Sequence, residues 1–296
     1  MGLFMKRALF IAVLCGTLIS LLAGCGGGGG SSSDSGSLYI QISDAKPLIP
    51  GDPQEVWITF SEVLVHKAGG DWISLPLPHT PYSIDLLQFQ NGATTELVPP
   101  VDLEPGQYTQ IRFGIERAFM VMNGSEEQLD LDVPSGILRT DKSFEFPVES
   151  GRSVDLIVDF DLSRSIVATG GPKPTYKLKP VLHINYTQDA ATIEGSVAED
   201  VFGESDSLNI TVYHDDNGDG EGEADEAYTT ISVVKPASGP AEFSIFWLVP
   251  ADGYIVVIWD DKNGDGQLDA GEQVYEENGI DLGPGDVYRI EVLAVS

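Results

Sequence analysis

The sequence predicts an all-β chain: two antiparallel β-sandwich domains, at about 38–187 and 191–296, behind an N-terminal export segment and a Gly/Ser tether. Three observations lead there. Apolar residues alternate in short runs, turn-forming residues break those runs at close intervals, and no sustained stretch combines helical spacing with capping residues. The 296 residues, 42% of them hydrophobic, hold enough apolar material for two cores of ordinary size.

Residues 1–24 read as a signal peptide. Lys6 and Arg7 precede an apolar run from Ala8 to Leu22, which is too short to span a bilayer, and Leu22-Ala23-Gly24-Cys25 follows. Those last four residues resemble the bacterial lipobox. The resemblance implies cleavage before Cys25 and lipid attached to its sulfur, with enough acyl chains for stable anchoring to a bacterial cell envelope. In a Gram-negative cell that would be the outer membrane. Residues 25–37 continue as GGGGGSSSDSGS after the cysteine, with nothing apolar to bury, and read as a flexible linker. The other of the two cysteines, Cys15, lies inside the apolar run, so no disulfide is expected in the folded part.

In the first domain, Glu55–Phe60, Val63–Val65, Gln110–Ile115 and Val154–Phe160 read as strands. Turn-formers such as Asn91-Gly92, Pro105-Gly106, Asn123-Gly124 and Pro134-Ser135-Gly136 lie between them. A family resemblance enters through Asp44-Ala45, Val63-Leu64-Val65-His66, Trp72, Ile84-Asp85-Leu86-Leu87, Pro105-Gly106-Gln107-Tyr108, Asp159-Phe160-Asp161 and Tyr176-Lys177-Leu178-Lys179-Pro180. In this order they resemble the bacterial and archaeal domain of unknown function 4382, common in lipoproteins. That resemblance implies a domain boundary and no activity.

The second domain offers seven candidate strands, Thr192–Val197, Leu208–Tyr213, Tyr228–Val233, Glu242–Leu248, Tyr254–Trp259, Gln273–Tyr275 and Tyr288–Val295, the number of a small sandwich. Two acidic loops directly follow strands in it. Asp215, Asn217, Asp219, Glu223 and Glu226 fall at loop positions 1, 3, 5, 9 and 12 of the first. Asp261, Asn263, Asp265, Asp269 and Glu272 fall at the same positions of the second, and each loop has glycine at position 6. This spacing wraps one Ca²⁺ with side-chain oxygens, a backbone carbonyl at position 7 (Glu221 and Gln267) and a closing bidentate glutamate. The β-branched and aromatic residues before each loop rule against the helices of an EF-hand. Strand-then-loop order, with Val249-Pro250-Ala251-Asp252-Gly253-Tyr254 before the next strand, resembles the carboxypeptidase-regulatory-like or Cna protein B-type sandwiches of bacterial surface proteins. The expected Ca²⁺ role is structural. Gly222 stands where the second loop has Leu268, so the first site is expected to be looser for want of an apolar pin.

The chain carries 46 acids against 16 Lys+Arg, a net charge of −30, which repels nucleic acid and anionic lipid surfaces. Asp159 and Asp161 share one strand face. As a glycosidase-like pair they lack any third element, so the expectation is a solvated sheet face or part of a further cation site. The histidines show no metal-ligand spacing, and no nucleophile elbow or phosphate loop follows a strand. Trp57, Trp72, Trp247 and Trp259 are weighed as a sugar platform against the commoner role of core and cross-strand packing. The function read from these features is that of a non-enzymatic, lipid-anchored surface protein acting in adhesion, scaffolding or ligand display. The alternative is a carbohydrate- or peptide-binding module in the first domain, and a hydrolase is the least favoured reading.

Overall fold

The computed structural model describes residues 35–45, 53–140, 144–169 and 175–293, and within them the all-β expectation holds. The segment expected as a signal peptide, Cys25 and most of the expected tether lie outside the described residues. In chain order the first sandwich comprises β1 (Gly36–Ala45), β2 (Pro53–Lys67), β3 (Trp72–Leu75), β4 (Tyr82–Asp85), β5 (Thr95–Leu103), β6 (Gly106–Met122), β7 (Gln128–Asp132), β8 (Ile137–Arg139), β9 (Phe146–Val148), β10 (Ser153–Asp161), a one-turn helix α1 (Leu162–Ser165), β11 (Ile166–Ala168), β12 (Tyr176–Leu178) and β13 (Leu182–Tyr186). One sheet runs β13-β10-β1-β5. The other is built on β6 paired with β2, and shorter strands fill out its edges.

Its core forms because β1 turns Leu38, Ile40 and Ile42 inward against Val56, Ile58 and Phe60 of β2. The two runs expected as separate strands in 55–65 are one strand. Its inward set switches from Val56, Ile58 and Phe60 to Val63 and Val65, and a register shift between Phe60 and Glu62 absorbs the odd residue. That bulge interrupts the alternation, which is why the sequence reads as two runs.

The tether ends earlier than expected. Gly36 and Ser37 already belong to β1, and Gly36 is buried where the chain crosses Glu149 closely: an added Cβ would lie 2.4 Å from the Glu149 carbonyl oxygen. Gly36→Ala is therefore expected to lower stability by about 1–3 kcal/mol through overpacking against backbone that has no rotamer to yield. Urea unfolding followed by tryptophan fluorescence would measure it, and an unchanged midpoint would refute the close approach.

The second sandwich comprises β14 (Ala191–Val197), β15 (Ser207–His214), β16 (Ala227–Val234), β17 (Ala241–Leu248), β18 (Ala251–Trp259), β19 (Gln273–Leu282) and β20 (Val287–Val292). All seven expected strands are present. Sheets β17-β14-β20 and β16-β15-β18-β19 enclose Ile193, Ile210, Val212, Phe243, Val256 and Ile258. Pairing is mixed rather than wholly antiparallel, since β1 with β10, β12 with β7 and β14 with β20 run parallel. Each parallel partner is reached only after the chain has visited other strands, as parallel pairing requires. The two sandwiches pack into one compact unit.

Candidate metal loops and the seam between the sandwiches

Each acidic loop closes a hairpin, the first between β15 and β16 and the second between β18 and β19. Because β15 and β18 pair antiparallel, with Asn209 opposite Trp259 and His214 opposite Tyr254, the loops leave opposite ends of one sheet. Their internal hydrogen bonds repeat. Asp215 Oδ1 accepts from the Gly218 and Asp219 amides at 2.6 and 3.2 Å, and Oδ2 from Gly220 N at 2.9 Å. Asp261 accepts from Gly264, Asp265 and Gly266 at 2.8, 3.2 and 3.0 Å. Asn217 and Asn263 Oδ1 each accept from the amide two residues on, as do Asp219 and Asp265 Oδ1. The position-6 glycines Gly220 and Gly266 have φ of 79° and 74°, the left-handed backbone that the reversal needs.

The closing glutamates are buried. Glu226 is 9% exposed; its Oε1 accepts from Asp216 N at 3.1 Å and Asn217 N at 3.3 Å, while its buried Oε2 has no hydrogen-bond partner. Such an orphaned carboxylate oxygen is costly unless a cation or donor meets it. Glu272, 5% exposed, accepts from Lys262 N on Oε1 and Asp269 N on Oε2. Both glutamates thus reach back over their own loops, where a position-12 ligand must sit. In the first loop the negative charge of Asp219 chiefly holds the Glu223 carboxyl above its usual range, with help from partial desolvation, Glu226, Asp225 and Glu221.

Among the described residues no three His, Cys, Asp or Glu side chains are gathered as a metal centre. Amide nitrogens stand between the carboxylates instead. Asn217 Nδ2 donates to Glu223 at 2.8 Å, and Asn263 Nδ2 donates to Asp265 and Asp269 at 3.1 and 2.9 Å. The side-chain oxygens at positions 1, 3, 5, 9 and 12 and the position-7 carbonyl form a hard, all-oxygen donor set, as Ca²⁺ prefers.

The first loop has an aromatic support where the second has Leu268. Leu268 packs against a small cluster of Tyr213, Ile255, Val257 and Trp259, and Gly222 lies against the same cluster, its would-be Cβ 2.8 Å from the Tyr213 ring. The ring takes the space a leucine would fill, so both loops rest on the sheet.

The expected solvated face of β10 is corrected. Asp159 and Asp161 are 6% and 0% exposed because the second sandwich covers them. Ile157, fully buried on the same face, is the sequence signal that this face was not solvated. Across the seam, His183 stacks on Tyr228 with centroids 3.7 Å apart and donates through Nε2 to its carbonyl at 3.0 Å. Asn185 donates to Leu248 O at 3.1 Å, Thr229 Oγ1 to Asp161 Oδ1 at 3.4 Å, and Thr230 N to Ser163 Oγ at 3.3 Å. Burial first, then the Asp161 charge, pushes Asp159 up to about 8. Burial likewise raises Asp161 to about 6 against the Ser163 hydrogen bond, and lowers His183 to about 4. Of these seam residues the sequence singled out only Asp159 and Asp161, and as a surface pair, since pairing between domains leaves no local spacing.

None of the four tryptophans forms an open platform. Trp259 is buried and donates to Thr211 Oγ1 at 2.9 Å, Trp57 stacks on Phe119, and the Arg112 guanidinium lies 3.8 Å over Trp72. Trp247 lines a cavity at the seam. The one-turn α1 is far too short to cross a membrane, and no described helix is long and apolar enough to do so.

No curated protein matches the sequence. Among solved structures, the Bacillus anthracis TIE protein aligns at a TM-score of 0.21 and 12% identity, covering 88% of this chain and 33% of that one. This chain thus spans about a third of that protein's length. A candidate cell adhesion protein of Bacteroides fragilis gives 0.21 and 12%, covering 87% of this chain and 92% of that one. A candidate adhesin of Bacteroides ovatus gives 0.21 and 12%, covering 94% and 100%. TM-scores at that level carry neither fold nor role from one chain to another. The sequence match is firmer: residues 35–180, the first sandwich almost entire, match the family described as Domain of unknown function (DUF4382).

Proposed function

We propose that the chain is an exported, non-enzymatic cell-envelope protein, lipid-anchored through Cys25, whose second sandwich is stabilised by Ca²⁺ in two loops and which serves adhesion, scaffolding or ligand display. The observation that carries the calcium reading is Glu226 Oε2, a buried carboxylate oxygen without a partner at the closing position of a loop whose other oxygens keep calcium-loop order. The like arrangement around Glu272 supports it. Asp215, Asn217, Asp219, Glu223 and Glu226, with the Glu221 carbonyl, would hold one ion. Asp261, Asn263, Asp265, Asp269 and Glu272, with the Gln267 carbonyl, would hold the other. Bound Ca²⁺ would supply the positive charge that the crowded carboxylates lack. The lipobox-like Leu22-Ala23-Gly24-Cys25 and the glycine-serine tether support anchoring at a distance from a membrane.

Calorimetric titration of Ca²⁺ into the chelated full chain tests the reading. Two sites in the range of about 10⁻⁴ to 10⁻³ M are expected, Asp215→Ala removing one and Asp261→Ala the other. At a calcium level about twentyfold above the dissociation constant, each site adds about 2 kcal/mol to stability. No heat of binding up to millimolar Ca²⁺ would overturn the calcium part. Failure of Cys25→Ala to abolish radiolabelled palmitate incorporation would overturn the anchor.

A further inference from the structure

The seam encloses a cavity of about 440 Å³, within the size range of small-molecule sites and at the domain junction where such sites concentrate. The first sandwich contributes Asp44 and Asp159 to its wall, and the second contributes Glu242, Phe243, Phe246 and Trp247. No Lys, Arg or His lines it among the described residues. Asp159 is the telling member. It is 6% exposed and lines the cavity, and among the described residues its carboxyl has no hydrogen bond or ion pair. A carboxyl so placed is disfavoured unless something outside the chain meets it.

We propose that this cavity binds a protonated aliphatic amine, with the ammonium against Asp159 and the carbon stem along Phe243, Phe246 and Trp247. An anion would find no Lys, Arg or His among the described lining residues and would meet the exposed Glu242. A bare metal ion would leave the aromatic wall of Phe243, Phe246 and Trp247 without a contact. A neutral ligand would leave Asp159 holding its proton and would gain no ion pair there. The ammonium supplies both hydrogen-bond donors and counter-charge, and the aromatic wall suits a hydrocarbon stem and the flank of a cation.

Protons are linked to this binding. Asp159 holds its proton to about 8 in the empty cavity, so an ammonium must displace that proton. The groups around it are Asp161 on its own strand, Asp44 on β1, Arg164 on α1, His183 on β13, Tyr228 on β16 and Glu242 on β17. His183 stays neutral above about 4 and Tyr228 titrates well above 10, which leaves Asp159 as the seam group that changes charge above neutrality.

The test is titration of n-butylamine into the full chain in mild non-ionic detergent, at about 0.15 M salt to screen diffuse attraction to the acidic surface. Saturable one-to-one binding is expected, strengthening about tenfold per pH unit up to about pH 8 and levelling above it. n-Butanol and n-butyrate should not bind. Asp159→Asn should abolish binding while the chain stays folded, and the exposed Glu116→Gln should leave it intact. Binding that survives Asp159→Asn, or that Glu116→Gln weakens as much, would mark diffuse counter-ion association and overturn the proposal, as would Asp159-dependent binding of n-butanol. A parallel titration with Nα-acetyl-lysine methylamide separates the sources. Its binding assigns the site to a lysine side chain of a polypeptide, n-butylamine alone assigns it to a free amine, and failure of both sinks the idea.

Discussion

Asp159→Asn is expected to raise the melting temperature of the chain, and the gain should grow with pH. Asp159 titrates near 3.8 when unfolded and near 8 when folded, so the folded state keeps a proton that the unfolded state has lost. Stability from such a raised carboxyl is fully present below about 3.8 and is lost as pH climbs to about 8. Asp161 behaves the same way up to about 6. His183 runs oppositely: its folded value near 4 lies below the ordinary 6.5, so its contribution is present above 6.5 and lost as pH falls toward 4. Between pH 6.5 and 8 only Asp159 among these three still titrates. Over that window the wild type should lose about 1.5 kcal/mol relative to the asparagine variant. That corresponds to several degrees in melting temperature for a chain of this size. Parallel melting curves for the two proteins at pH 6.5 and 8 would contradict the buried, unpaired state of this carboxyl.

Trp259→Ala is expected to cost about 3–5 kcal/mol, the range for emptying a buried aromatic site. Trp259 is 2% exposed, donates to Thr211 Oγ1, and packs in the cluster on which Leu268 rests. Its removal leaves a cavity, strips the Thr211 hydroxyl of one partner, and takes the support from beneath the second acidic loop. Calcium affinity at that loop should fall while the first loop, at the far end of the sheet, keeps its own. Trp259→Phe should recover most of the packing without the hydrogen bond. A loss below about 1 kcal/mol for the alanine variant would mean that the cluster does not support the loop.

Much of this was legible in the sequence because it is local. Leu208–Tyr213 alternates and Tyr254–Trp259 is a continuous apolar run bounded by turn residues, and the two 12-residue loops declare their oxygens by spacing alone. β19 was read only to Tyr275 because Glu276, Glu277 and Asn278 continue it along an exposed edge, where no buried face imposes a pattern. The bulge in β2 hid one long strand behind two short ones. Gly222 looked like a missing anchor because nothing in a single chain of letters shows that the Tyr213 ring fills its place. The seam was the least legible part. Asp159 and Asp161 alternate with Val158 and Phe160 just as solvated residues would, and only Ile157 on their face hinted that another layer covers them.

The position of β1 has one more consequence. This first described strand lies between β10 and β5 rather than at a sheet border, paired with β10 over Ser37–Ala45 and with β5 over Gly36–Ile42. Unravelling from the leading end therefore cannot proceed by unzipping one ladder residue by residue. Two ladders and the Leu38, Ile40 and Ile42 packing must give way together, so a pull on the backbone ahead of Gly36 meets the interior of the sheet first.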